Sequence, residues 1–226
     1  MIRMQFTVLA AALTLASIPA AAQTESGGGE DRPGAELAVG VLRHGANFHP
    51  LGSSLSFDLP PLPPGQVYDG MEENGTADVQ LLYRTAPLGF ALKPRLAAKA
   101  QISLEGRTSF ASVGAEWRQH VLGGRVYGQV GIGLTIHDGY RFTPDPFAPG
   151  LAIDEARRRF AIYQTQTSFG SRVLFNPNAS VGVRLSRKWA AELVWEHHSH
   201  AQVFSDQNPG IDHVGLRLVR SFEGKR

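Results

Sequence analysis

The chain has 226 residues, a formal net charge of +2, 25 glycines, 14 prolines and no cysteine. Without cysteine there is no disulfide scaffold, no thiol nucleophile and no thiolate metal ligand. The glycine and proline content argues against a helical protein, and the small net charge with scattered basic residues argues against a nucleic-acid partner.

Residues 1–22 read as a cleaved secretory signal. They have a basic start at Arg3, an apolar run from Phe6 to Ile18, and Pro19-Ala-Ala-Ala22 before Gln23. That run is too short to span a bilayer, and no later stretch is apolar enough to serve as a membrane helix. Residues 23–35 are expected to be a flexible N-terminal segment. Residues 36–226 are expected to form one domain.

From there the pattern has period two, in runs long enough to cross a membrane at a tilt. Strand one offers Leu37, Val39 and Val41. Strand two sets Val79, Leu81 and Tyr83 against Asp78, Gln80 and Arg84. Strand three sets Leu96, Ala98, Ala100, Ile102 and Leu104 against Arg95, Lys99, Gln101 and Ser103. Strand four gives Val113, Ala115 and Trp117 against Gly114, Glu116 and Arg118. In strand five, Val126, Val130, Ile132, Leu134 and Ile136 share one face.

Strand six carries Phe169, Val173, Phe175, Val181, Val183 and Leu185 on odd positions. Asn176-Pro-Asn178 keeps that parity, so one irregular strand is expected there and not two strands with a turn. Strands seven and eight complete the set, the last ending near Phe222. The two long connections, residues 45–75 and 138–164, follow odd-numbered strands, as external loops of a membrane barrel do. The expected fold is therefore all-β: an eight-stranded antiparallel transmembrane β-barrel, apolar toward lipid, with charged residues in a narrow lumen. A barrel of this size is filled by its own side chains, which excludes a wide pore. Trp189, Trp195 and Phe222 fit interfacial aromatic girdles.

Strand seven ends in Trp195-Glu-His-His-Ser-His-Ala201, and strand eight begins near Asn208-Pro-Gly-Ile-Asp-His213. Parity puts His197, Ser199 and Asp212 together at the external end of the lipid-facing surface, and sends Glu192, Glu196, His198 and His200 inward. An imidazole, a hydroxyl and a carboxylate in that order can activate the hydroxyl toward a carbonyl. A plain polar rim is the competing reading of so many histidines. A metal held by His197, His198 and His200 is disfavoured, because alternation separates the first from the other two.

The region resembles the lipid A 3-O-deacylase (PagL) family of outer-membrane enzymes, also called acyloxyacyl hydrolases. Its H-x-S-N-A element is similar to His197-His-Ser-His-Ala201, and its N-P-G element to Asn208-Pro-Gly210, leading into Gly215-Leu-Arg217. Fainter echoes are Gly40-Val-Leu-Arg-His44, Gly114-Ala-Glu-Trp117 and His137-Asp-Gly139.

The resemblance implies an esterase that removes a 3-O-linked acyl chain from lipid A in the outer leaflet of the outer membrane. It needs no metal or organic cofactor. Ser199 would be the nucleophile, His197 the general base and Asp212 the orienting acid. His200, Asn208 and Gly210 are the candidates for stabilising the oxyanion. The sequence departs from the family pattern in two places: Asp212 stands where Glu is frequent, and His200 stands where the family has Asn. The alternatives are a non-enzymatic small barrel that is structural or binds lipopolysaccharide, a phospholipase or acyltransferase of the same architecture, and a soluble lipocalin-like barrel.

Overall fold

The computed structural model describes residues 33–46, 74–90 and 92–223. The expected signal sequence, most of the first long connection and the last three residues lie outside them. Nine strand segments run in order: β1 (Pro33–His44), β2 (Thr76–Arg84), β3 (Arg95–Ser103), β4 (Phe110–Val121), β5 (Val126–His137), β6 (Val173–Phe175), β7 (Asn178–Arg184), β8 (Trp189–His198) and β9 (Ile211–Glu223). The barrel's first strand thus starts at Pro33, ahead of the expected boundary at residue 36.

Each segment pairs antiparallel with its neighbours, and β9 returns to pair with β1, so no sheet edge is left open. Both β6 and β7 pair with β5 in one unbroken register: Val173 to Phe175 lie opposite Ile136 to Leu134, and Asn178 opposite Gly131. Between them Asn176 and Gly133 exchange both backbone hydrogen bonds, at 2.8 and 3.0 Å. Only Pro177, with no N–H to give, breaks the ladder. The nine segments therefore make eight positions around a closed barrel, with one irregular strand as expected.

The faces are inverted relative to a soluble protein. Val39, Val41, Val130, Ile132, Leu134, Val181, Leu193 and Leu216 are exposed on the outside, while Arg84, Glu116, Glu192 and Glu196 are fully buried inside. No described helix is long and apolar enough to cross a membrane. The barrel strands, most of them nine to thirteen residues long, have the required length.

The lumen is filled by paired charges. Arg84 binds Glu116 through Nε at 2.5 Å and Glu192 through both terminal nitrogens at 2.8 and 3.0 Å. Arg118 grips Glu36 in a fork at 2.6 and 2.7 Å, and Lys99 binds Glu196 at 2.8 Å. Each buried charge needs such a partner, because an unpaired ion in this interior costs several kcal/mol. Toward one end the network gives way to an apolar layer of Phe110, Phe169, Leu174 and Ile211.

One expectation is corrected. Phe169 does not face lipid. It precedes β6, lies outside the alternating strand, and is buried in that inner layer. The second long connection carries one helix, α1 (Ile153–Thr165). Asp154 and Glu155 sit in its first turn, where the helix dipole favours acids, and Arg158 and Arg159 pair with Glu155 along one side. Those two guanidinium groups hold the Glu155 carboxyl at about 2. The helix buries no residue; Phe160 and Tyr163 pack edge to face on Phe147, and Arg159 Nη1 donates to the Asp145 carbonyl at 3.1 Å.

Candidate active site

The end of β8 and the start of β9 bring three polar side chains together on the outer face. His197 and Asp212 are direct register partners, and Ser199 lies two residues beyond His197 on the same face. The Nδ1 of His197 is 2.9 Å from Asp212 Oδ1, and its Nε2 is 2.9 Å from Ser199 Oγ. The ring therefore bridges acid and hydroxyl with one nitrogen each. A carboxylate only accepts, so Nδ1 carries the hydrogen, and the Nε2 lone pair faces the serine O–H. The His197 and Asp212 side chains are only 16% and 12% exposed, which limits solvent around the pair.

Backbone structure holds both ends of this arrangement. Ser199 and Phe175 exchange backbone hydrogen bonds at 2.6 and 3.2 Å, which extends the β8 ladder past its last assigned residue. Immediately afterwards Ala201 and Gln202 take left-handed backbone conformations, with φ of 49° and 57°. Such residues are strained and persist only where surrounding contacts hold them. Across the site, Gly210 has φ of 68°, and a Cβ there would meet His197 Cε1 at 3.0 Å and Ser199 Cβ at 3.4 Å. Any larger residue would be strained by its backbone and crowded by the imidazole.

Two residues behave differently from their sequence reading. Trp195 does more than line the membrane interface: its Nε1–H donates to Asp212 Oδ1 at 2.7 Å, and its ring stacks beside His197 at 19°. Asp212 Oδ1 thus receives both the imidazole and the indole. Trp195 is two residues from His197 on the same face, and that spacing was the one available sign of its role.

His200 is the correction. Its side chain is fully buried, with Nε2 against the carbonyl oxygens of Phe169 at 3.0 Å and Gln207 at 2.8 Å. Its backbone N–H donates to Asn208 Oδ1 at 2.7 Å. Strand alternation points the ring inward, where it ties together the loops after α1 and β8. Neither its ring nor its N–H is turned to Ser199, so it is not an oxyanion donor. Asn208, anchored by that bond, and Gly210, packed on His197, remain beside the site.

The family model described as lipid A 3-O-deacylase (PagL) matches residues 81–221. No curated protein sequence matches the chain. Among solved structures, the chain is similar to the outer-membrane enzyme PagL at 12% identity, with a TM-score of 0.46, covering 82% of this chain and 97% of that one. It is similar to a de novo designed transmembrane β-barrel at 11% identity, with a TM-score of 0.45 and coverage of 85% and 99%. The Yersinia pestis outer-membrane protein Ail is 10% identical, with a TM-score of 0.42 and coverage of 84% and 99%.

Proposed function

Because the chain belongs to the lipid A 3-O-deacylase (PagL) family, we propose that it is an outer-membrane ester hydrolase that releases a 3-O-linked acyl chain from lipid A, with Ser199, His197 and Asp212 as its catalytic triad. The observation that carries this reading is the single imidazole spanning Asp212 and Ser199, 2.9 Å from each.

The steps follow from the proton positions. Ser199 Oγ attacks the ester carbonyl while its proton passes to His197 Nε2. The imidazolium so formed is stabilised by Asp212 on its far side. The tetrahedral intermediate collapses, the sugar oxygen leaves with the proton held at Nε2, and the acyl chain stays on Ser199. Water then attacks the acyl-serine, giving its proton to His197, and the fatty acid departs with Ser199 restored. Asn208 and the Gly210 backbone are the remaining donors for the oxyanion, with His200 removed from that role.

Substrate choice follows from position. The triad lies on the lipid-facing side, in line with Leu193, Leu216 and Leu218. It stands at the end of β8 where the longest connections emerge, and in this architecture the longer loops are external. Polar groups set there are costly unless they serve something, and the esters within reach are those of the outer leaflet.

The test is lipid A mass spectrometry from membranes carrying the wild type or Ser199→Ala, with labelled phospholipid supplied alongside. The wild type should remove one 3-hydroxyacyl chain from lipid A and leave the phospholipid intact. Ser199→Ala should remove none while the barrel stays folded. Normal deacylation by the variant, or phospholipid as the preferred substrate, would overturn the reading.

A further inference from the structure

One residue inward from the candidate triad, a second set of imidazoles and a carboxylate converges on the barrel interior. His44 ends β1, Asp78 lies near the start of β2 and His213 near the start of β9. All three are fully buried, and one ligand-type atom from each lies within 4.8 Å of the other two. His44 Nδ1 is 2.8 Å from Asp78 Oδ2, and His213 Nε2 is 3.5 Å from that same oxygen. The two imidazoles meet edge to face with centroids 4.9 Å apart.

What sets this cluster apart from an ordinary buried polar core is His213. Neither of its ring nitrogens makes a hydrogen bond among the described residues, although the side chain has no exposure at all. Buried polar atoms without partners are rare, and an ion or water is the usual reason for them. Water could serve one nitrogen. It does not explain why two imidazoles and a carboxylate bring ligand-type atoms within 4.8 Å of one another.

The geometry points to a divalent transition-metal site, of the zinc class, formed by His44, Asp78 and His213. Ligand bonds of about 2.0–2.2 Å in a tetrahedral arrangement put ligand atoms roughly 3.3–3.6 Å apart. The two carboxylate–imidazole separations, 2.8 and 3.5 Å, lie just below and within that range, and the two imidazole nitrogens lie within 4.8 Å of each other, so binding calls for shifts of about an ångström. Two imidazoles and one carboxylate suit zinc and its neighbours and disfavour calcium or magnesium, which take oxygen ligands. Gln101 Nε2 donates to Asp78 Oδ2 at 2.6 Å, the kind of outer contact that orients a ligating carboxylate. Binding would displace the proton now shared between His44 Nδ1 and Asp78, with water in the fourth position.

The sequence reading expected no metal, and the one set of ligands that it weighed was His197, His198 and His200. The folded barrel assembles a different set, drawn from β1, β2 and β9. Such a site would clamp β9 to β1, the pair that closes the barrel, directly behind Asp212. It does not depend on the ester chemistry, and its test does not read activity.

The test uses the purified signal-free chain refolded in detergent, with Co²⁺ alone as the probe and with chelator as the control, since a sealed site must be loaded during folding. One Co²⁺ per barrel with a visible ligand-field band is expected, displaced by Zn²⁺. The band should be lost in His213→Ala and in the near-isosteric Asp78→Asn, and kept in His197→Ala. X-ray absorption of the zinc-loaded wild type should report two imidazoles and oxygen ligands, a readout that needs no variant. A wild type that takes up no cobalt on folding overturns the proposal. So does a band that survives both substitutions, or a zinc shell without two imidazoles.

Discussion

Among the described residues, two histidine–aspartate pairs of nearly equal length stand on opposite faces of the barrel wall. His197 Nδ1 meets Asp212 at 2.9 Å on the outside, and His44 Nδ1 meets Asp78 at 2.8–2.9 Å on the inside. The pairs are chemically alike, and their surroundings decide what each can do. The outer imidazole presents its second nitrogen to a serine hydroxyl beside lipid. The inner pair is sealed and faces another imidazole. A histidine–aspartate contact is therefore not itself a catalytic sign; the third group and its access to substrate make it one.

Substitutions at five residues break or sharpen that contrast. The largest effect is expected at the outer pair's open end. Ser199→Ala or His197→Ala should lower deacylation by about a million-fold if the three groups act as a unit, with little further loss when combined. Single-turnover release of 3-hydroxy fatty acid measures this, and additive losses would contradict it. Asp212→Asn comes next, at about ten-thousand-fold, because an amide can donate to Nδ1 and stabilise the wrong tautomer. Asp212→Glu should retain far more activity than Asp212→Asn in the same assay.

Trp195→Phe keeps the aromatic surface and removes only the N–H bonded to Asp212. A hydrogen bond to a charged group contributes about 1.5 kcal/mol or more, so activity should fall roughly tenfold in kcat with KM little changed. A change confined to KM would mean that the indole serves substrate contact or membrane depth, not the orientation of the acid.

The smallest effect on activity is expected at the inner pair. Asp78→Asn should leave deacylation within a few-fold of the wild type. It should still lower the unfolding midpoint in denaturant, since breaking a buried pair costs about 3–5 kcal/mol. A large loss of turnover with unchanged stability would show that the inner pair takes part in catalysis and would dissolve the contrast.

How much of this was legible in the sequence depended on whether a signal was local. The lipid-facing stripe was readable because lipid contact imposes apolar residues at every second position, as in Val130, Ile132 and Leu134. The meeting of His197 with Asp212 was readable because it requires only parity and one hairpin register. The helix α1 was not, because a loop helix that buries nothing leaves no apolar period to detect. Phe169 misled by sharing parity with a strand that begins only at Val173. Trp195 was read as a girdle residue because an indole at a membrane interface and an indole bonded to a carboxylate look the same in sequence. The cluster of His44, Asp78 and His213 depends on register across the closing β1–β9 seam, which no short-range pattern encodes.

The most direct measurement of the central claim is the site of covalent attack. A lipid-like fluorophosphonate, which is captured by an activated serine, should form one adduct with the folded barrel, mapped by peptide mass spectrometry to Ser199. Labelling should vanish in His197→Ala and in the unfolded chain. An adduct at another residue, no adduct with an active barrel, or labelling that persists without His197 would contradict the account.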